Sequence, residues 1–529
     1  MRNVHLPAAS LCITLWMGSL VLAAGLFLLG IGVAPLIDRD EPAYAEAARE
    51  MLERGDWVAT WFNSRPWFDK PPLVYWSEMV SYSALGVNEV SARLPVALFG
   101  IAGLAAVYWT GRRLRGARAG ALAAAVLATS LLYLGLARVA LMDVPFTACF
   151  TFAMCALVGG LQEPNRARWP LLSGAAVGLA VLAKSLSAGV LFAAVLLSVG
   201  VLRRSPIAFR GLRWGYAALS CLLVAAPWYL MMSLRFGPSF LNEMLGAGNV
   251  GRFLHAEHVR SVTPLYYLPI ILVGFLPWTA LLPGSLYAAW RARAGADVPL
   301  LWAGITFAFF TVSQSKLPGY ILPMFPALAL LVGWELERSL ERWPASGSCR
   351  QLYYAIISTL VAAGVVLVWA VIRAPSYLWG AALLACLGML PLALVMWARA
   401  RVTLGVLWAF GFAVATAGIL GWGLLPTAAR ANTAKELAQR MQADGQPHRV
   451  CLVNTIPLHV PSLLFYCRKT VTTIAGGSVP CAQPADAVIV EGIVDTHWLR
   501  ASGFRAVARA GKLALWMVPP KAHDTSGRG

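Results

Sequence analysis

The sequence predicts a polytopic α-helical membrane protein of about thirteen membrane-spanning helices, with further helices along the membrane surface and a small C-terminal α/β domain. Three observations predict it. Of 529 residues, 59% are hydrophobic and only 13% are charged, and the mean hydropathy is +0.67; a soluble chain of this length is more polar. Apolar stretches long enough to cross a bilayer recur as far as residue 425. Arginines cluster in every second loop between them, as in the cytoplasmic loops of membrane proteins.

The first apolar stretch, 11–36, is longer than the roughly 7–15 residues of a signal-peptide core and reads as an uncleaved membrane helix. Further spans are expected near 93–111, 119–137, 144–161, 170–184, 186–202, 214–233, 265–290, 298–313, 318–334, 352–372, 376–397 and 403–425. Lys184 and Ser185 divide the long run 170–202 in two. Arg112, Arg113, Arg115 and Arg118, then Arg166 and Arg168, and the later clusters out to Arg399 and Arg401 mark the cytoplasmic loops. They place the N-terminus inside and, with an odd number of spans, the C-terminal segment outside. The net charge of +19 follows from this asymmetry and does not call for nucleic acid.

The expected domains are a membrane domain, 1–426, that includes the external loop 37–92, and a soluble domain, 427–529. In the latter, 428–441 reads as an amphipathic helix and 450–454, 470–474, 487–491 and 513–518 as short strands. The tail from Lys521 is polar and expected to be disordered. Of nine cysteines, Cys451, Cys467 and Cys481 lie in this segment. An oxidising compartment would favour one disulfide there, most simply Cys467 to Cys481; the other cysteines read as free thiols.

The residues that break the apolar pattern most sharply gather on the external face. Asp40 and Glu41 follow the first span, and a charge there is costly unless it lines a wet cavity or serves chemistry; a carboxylate held at that point can act as a base or bind a metal. The segment Glu41 to Arg54 has the spacing of a surface helix, and Trp57, Trp61, Trp67 and Trp76 suit the water–lipid boundary. Asp69-Lys70-Pro71-Pro72 opens a second surface helix, whose lysine can meet a phosphate. Asp143 stands at the mouth of a span with Arg138 near enough to pair with it. Lys184 sits at an outer turn, Asn249 and Arg252 in a later loop, Lys316 and Tyr320 in a short one. Cations for a phosphate beside acids for an incoming group suit transfer from a lipid-linked phosphate. No Gly-rich phosphate loop appears on the cytoplasmic side and no HExxH-type cluster, which counts against an ATP-driven machine. A transporter would place its charges near the membrane midplane.

The order Asp40-Glu41, Ala45-Glu46, Glu50-Met51, Gly55-Asp56-Trp57, Phe68-Asp69-Lys70-Pro71-Pro72 and Tyr75-Trp76 resembles the signature of GT-C glycosyltransferases. The nearest branches are the lipid A aminoarabinose transferases and the protein O-mannosyltransferases. The likeness continues through Met142-Asp143, Ala183-Lys184, Pro227-Trp228-Tyr229, Arg252-Phe253, Gly274-Phe275-Leu276-Pro277-Trp278 and Lys316-Leu317-Pro318 with Tyr320, over roughly 30–335.

The resemblance implies a GT-C fold and an inverting transfer at the periplasmic face of the bacterial inner membrane. The donor would be an undecaprenyl-phosphate sugar. The acceptor would be lipid A or another lipopolysaccharide or glycolipid, with protein Ser/Thr as the alternative and a non-enzymatic lipid-linked sugar transporter as the reading outside catalysis. It makes Asp40 the catalytic carboxylate, with Glu41 beside it and Asp143 as a second acid. Lys70, Arg252, Lys184 and Arg138 would hold the donor phosphate, and Tyr320, Lys316, Asn249 and Asp69 would line the cavity. Lipid A enzymes often carry Glu where this chain has Asp69, and a His near the position of Asn249. Both departures count against a divalent metal held by that pair, the one cofactor the resemblance raises, and against lipid A specifically.

Overall fold

The computed structural model describes residues 25–37, 39–203, 214–254, 265–292 and 295–341, then 433–443, 449–453, 455–474, 486–491, 499–500, 504–510 and 512–517, with Val21, Pro426 and Ala429. The chain divides into two compact units.

The first unit comprises Met1–Ile31, Phe68–Ser77 and Arg93–Gly421. Among the described residues, four helical segments are long and apolar enough to cross a membrane: Glu89–Leu114, Asp143–Gln162, Trp214–Phe236 and Pro318–Arg338. Shorter apolar helices run Ala117–Thr129, Arg168–Ala183, Ser187–Arg203 and Asp297–Val312. Runs of Leu, Ala and Val form helices here because lipid offers no partner for a backbone N–H or C=O, so each must be satisfied within its own segment. The helices pack closely where side chains are small. At Gly174, an added Cβ would lie 1.9 Å from the Ala217 carbonyl oxygen, so the helices Arg168–Ala183 and Trp214–Phe236 could not meet as they do with any larger residue.

Three expected spans are not single helices. The run 119–137 breaks at Ser130, whose extended backbone (ψ 130°) separates Ala117–Thr129 from Leu131–Leu136. The run 265–290 divides into Tyr267–Gly274, a 3₁₀ turn Thr279–Leu281 and Leu282–Ala292. Pro277 lies in that gap and has no N–H to continue a helix. The run 318–334 opens with a 3₁₀ segment, Pro318–Met324, before the helix Phe325–Glu341. The division at Lys184 and Ser185 is present: Lys184 (φ −150°, ψ −54°) ends Arg168–Ala183. The expected spans 352–372, 376–397 and 403–425, and half of 11–36, lie outside the described residues.

The second unit comprises Gly32–Trp67, Glu78–Ala92 and Trp422–Gly529. It thus groups most of the segment 37–92 with the C-terminal segment. The helix Asp40–Arg54 ends at Gly55 in the left-handed conformation (φ 65°), a position suited to glycine. Strands β1 (Trp61–Phe62) and β2 (Arg65–Pro66) form a hairpin whose turn residues Asn63 and Ser64 both have positive φ.

Five further strands, β3 (Arg449–Val453), β4 (Val471–Ile474), β5 (Asp486–Glu491), β6 (Arg505–Ala510) and β7 (Leu513–Met517), form one sheet in the order β4-β3-β5-β7-β6. The β3 strand runs parallel to both β4 and β5, while β7 is antiparallel to β5 and β6. Alternation along the strands divides their side chains between two faces. On one face Val450, Leu452, Ile489 and Leu515 pack with Leu437, Leu463 and Leu464 and with Ala43 and Phe62 of the first loop. On the other, Cys451, Val453, Val488 and Trp516 form a second core with Phe504. The four expected strand runs fall on β3, β4, β5 and β7; β6 was not expected. The helix expected at 428–441 is described as Lys435–Ala443, and the tail from Lys521 lies outside the described residues.

The expected disulfide is corrected. Cys451 is disulfide-bonded, whereas Cys467 is a free, buried thiol. Cys467 ends the helix Pro461–Cys467 with its Sγ 4.0 Å from Met441 Sδ, and burial pushes the thiol up to about 12. It is a packing residue of the core. Cys481 lies outside the described residues.

Candidate active site

Within the first unit, Asp69 and Lys70 precede Pro71 and Pro72 in a short non-helical segment ahead of the helix Leu73–Leu85. A residue before proline is pushed out of the helical region, and Lys70 lies in a bend ahead of that helix. Lys70 Nζ donates to Asp69 Oδ2 at 2.8 Å, and Arg252 Nη2 donates to Asp69 Oδ1 at 2.7 Å. Arg252 comes at the end of a π-helix, Leu241–Gly251, a form that recurs at functional sites. Burial opposes the charge on Asp69, but the cations of Lys70 and Arg252 outweigh it and hold the carboxyl well below the usual range. Burial pushes the Lys70 ammonium down, Asp69 opposes that and Arg252 adds to it.

A second ion pair completes the cluster. Asp143 is the first residue of Asp143–Gln162, where the positive end of the helix favours an anion. Lys184 follows the C-terminus of Arg168–Ala183, where the negative end favours a cation. Lys184 Nζ donates to Asp143 Oδ1 at 2.6 Å and lies 4.3 Å from the centre of the Tyr320 ring. Asp143 rests on Gly319, where an added Cβ would be 2.5 Å from its Oδ1. Asn249 accepts from the Leu186 amide at 3.3 Å and donates to the Met244 carbonyl at 2.6 Å.

Asp69, Lys70, Asp143, Lys184, Asn249, Arg252 and Tyr320 line one cavity of about 510 Å³. The rest of its wall is largely apolar, with Phe146, Leu186, Val190, Phe253, Phe309, Phe310 and Pro323. Three cations and two carboxylates therefore meet a hydrophobic surface, an arrangement suited to a phosphate that carries an apolar chain.

Other expected residues lie elsewhere. Arg138 does not pair with Asp143, whose carboxylate is taken by Lys184. It donates instead to the carbonyls of Leu26 and Leu29. Lys316 Nζ donates to the Thr311 carbonyl at 2.8 Å and to that of Ser313. It caps the C-terminus of Asp297–Val312, and the loop it holds hydrogen-bonds to Arg252 and Phe253 through the amides of Ser315 and Gln314. Asp40 and Glu41 belong to the second unit. Asp40 is exposed and begins its helix, whereas Glu41 is buried and its Oε2 accepts from the Ile37 amide at 2.9 Å.

Sequence reasoning did not single out Gly319 or the Phe309–Phe310 wall. Only the tertiary approach of Asp143 identifies the first, and apolar span residues give no signal for the second. The metal can be tested against the donors present. Both Asp69 oxygens are engaged by cations, and among the described residues no three His, Cys, Asp or Glu side chains converge. These residues do not fit a divalent ion.

Residues 69–231 match the family model described as dolichyl-phosphate-mannose-protein mannosyltransferase. An undecaprenyl phosphate-α-4-amino-4-deoxy-L-arabinose arabinosyl transferase of Edwardsiella ictaluri is 33% identical over 313 residues, 56% of this chain and 55% of the relative. One from an Enterobacter species is 30% identical over 379 residues, 68% of this chain and 67% of the relative. The chain thus spans between about half and two thirds of the length of the curated relatives it matches. The crystal structure of ArnT from Cupriavidus metallidurans bound to undecaprenyl phosphate superposes with a TM-score of 0.79 at 26% identity, over 96% of this chain and 98% of that one. The chain belongs to the GT-C membrane glycosyltransferases, in the superfamily of the aminoarabinose transferases and the protein O-mannosyltransferases.

Proposed function

We propose that this protein transfers 4-amino-4-deoxy-L-arabinose, or a closely similar sugar, from undecaprenyl phosphate to a glycolipid such as lipid A. It would work at the periplasmic face of the inner membrane. The observation that carries the reading is the cavity in which Lys70, Arg252 and Lys184 meet an apolar wall. It can take a phosphate and the start of a polyprenyl chain together.

In the reaction, an acceptor oxygen attacks the anomeric carbon on the face opposite the phosphate. The bond from that carbon to the phosphate oxygen breaks, its electron pair leaves on the phosphate, and the configuration inverts. Lys70 and Arg252 stabilise the charge that grows on the leaving phosphate, an effect largest in a dry cavity. Asp40 takes the proton when the acceptor is a hydroxyl. When the acceptor is a phosphate of lipid A, already ionised, Asp40 positions it. Support for Asp40 is its place in the family motif at the start of Asp40–Arg54.

The family model over residues 69–231 favours a second acceptor, the hydroxyl of protein Ser or Thr. Mass spectrometry of lipid A, total glycolipids and secreted glycoproteins, with and without this gene, separates the readings. A pentosamine mass lost from lipid A in the deletion, and not restored by Asp40→Asn or Lys70→Ala, supports the first. A sugar lost only from protein would replace it with the second. No change in either would refute both.

A further inference from the structure

We propose that Tyr466, in the C-terminal segment, is a positioning residue for the Asp40–Glu41 carboxylates. Its hydroxyl fixes the backbone from which their helix begins.

The helix Asp40–Arg54 has no side-chain cap of its own, since its N-cap position is Arg39. A helix start leaves amides unsatisfied and frays unless something holds it. Two consecutive amides just ahead of this helix are held. The Ile37 amide donates to Glu41 Oε2 at 2.9 Å, and the buried Leu36 amide donates to the Tyr466 hydroxyl at 2.9 Å. That hydroxyl donates in turn to Glu89 Oε1 at 3.0 Å. It therefore accepts one bond and gives another, an arrangement a phenylalanine cannot reproduce. Glu89 is itself fixed by an ion pair with Lys435, whose ammonium also lies 5.1 Å from the centre of the Tyr466 ring. Downstream, Ala43 of the same helix is buried in the core that Leu463 and Leu464 help to build.

The C-terminal segment thus supplies a hydrogen-bonded anchor at residue 36 and an apolar seat at residue 43, on either side of Asp40 and Glu41. The claim that this matters to chemistry rests on the proposed role of Asp40. A displaced catalytic group loses rate rather than substrate affinity.

The test uses the full-length chain in lipid nanodiscs, as wild type and as Tyr466→Phe, which keeps the ring. Hydrogen exchange over 36–41 is expected to quicken about fivefold, the worth of one hydrogen bond, with β3 unchanged. With undecaprenyl phosphate-linked aminoarabinose as donor and lipid A as acceptor, kcat is expected to fall about fivefold or more while the donor KM stays within about twofold. Unchanged exchange at 36–41 overturns the anchor whatever the activity. Faster exchange with unchanged kcat overturns its link to Asp40. A wild-type chain inactive with this donor would instead refute the proposed function, and exchange would still decide the anchor. Should Tyr466→Phe fail to fold, Glu89→Gln is the second variant. It keeps an acceptor for the hydroxyl but loses the attraction of Lys435, and about a twofold rise in exchange is expected. No rise there overturns the relay.

Discussion

Asp69 holds both Lys70 and Arg252 at once, Oδ2 on the ammonium at 2.8 Å and Oδ1 on the guanidinium at 2.7 Å. Lys70 is the neighbour of Asp69 in the chain and Arg252 lies 183 residues beyond it, and without this carboxylate two positive charges would face each other in a largely buried cavity. Asp69 therefore holds the two cations together, and in the proposed reaction the donor phosphate would meet a pair already aimed.

Asp69→Asn removes the charge and keeps the shape. The unfilled variant is expected to lose stability on the order of 3 kcal/mol, the cost of stripping one partner from a buried ionic cluster. Undecaprenyl phosphate brings its own negative charge, so its stabilising shift in melting temperature is expected to be larger in Asp69→Asn than in the wild type. Equal shifts in a thermal denaturation assay would show that the cations do not receive the phosphate.

Gly319 leaves room for the Asp143 carboxylate where any side chain would meet it. Gly319→Ala puts a methyl 2.5 Å from Oδ1 and 2.7 Å from Cγ, so the carboxylate that Lys184 holds must shift. Displacing a site group by about an ångström can cost on the order of a hundredfold in rate, and a loss of that size in kcat/KM is expected. Activity within about twofold of wild type would place Asp143 outside the working site.

The charged half of the cavity was legible in the sequence for a physical reason. Asp69, Lys70, Asp143 and Lys184 interrupt apolar runs, where an ionised group is too costly to keep without use. Partnership was less legible. Arg138, five residues from Asp143, was the natural partner by spacing, yet Lys184, 41 residues away, takes the carboxylate. The apolar wall gave no signal, because Phe309 and Phe310 read as ordinary span residues. In the C-terminal segment, β3, β5 and β7 alternate or run apolar as buried strands do, whereas β6 carries Arg505 and Arg509 at the sheet edge. Charged edge strands resist mispairing, and the same charges hide them from a search for hydrophobic runs.

Lys316 separates holding a loop from binding a substrate. Its ammonium is spent on the carbonyls of Thr311 and Ser313, and burial pushes it down from the ordinary lysine range. Lys316→Met leaves the two carbonyls without that donor, and a stability loss of about 1–3 kcal/mol is expected. Undecaprenyl phosphate affinity should change less than in Lys184→Met, whose ammonium lines the cavity. A larger loss of affinity in Lys316→Met, measured by ligand-dependent melting, would return Lys316 to the binding site.

Glu78 lies in the helix Leu73–Leu85, fully buried, and neither carboxyl oxygen has a hydrogen-bond partner among the described residues. Burial raises its pKa well above the ordinary value, and the Glu41 carboxylate adds to the rise. The sign follows from linkage. An acid whose folded pKa is raised contributes stability that is fully present below the unfolded value, about 4.3, and is lost as pH climbs toward the folded value. Above that lower limit the folded chain must keep a proton that the unfolded chain gives up. Gln has the shape of the protonated acid and never has to hold that proton. Glu78→Gln is therefore expected to raise the melting temperature at pH 8 and to raise it less at pH 5. A difference from wild type that stays constant between the two pH values would mean that Glu78 is ionised in the folded protein and has found a counter-charge.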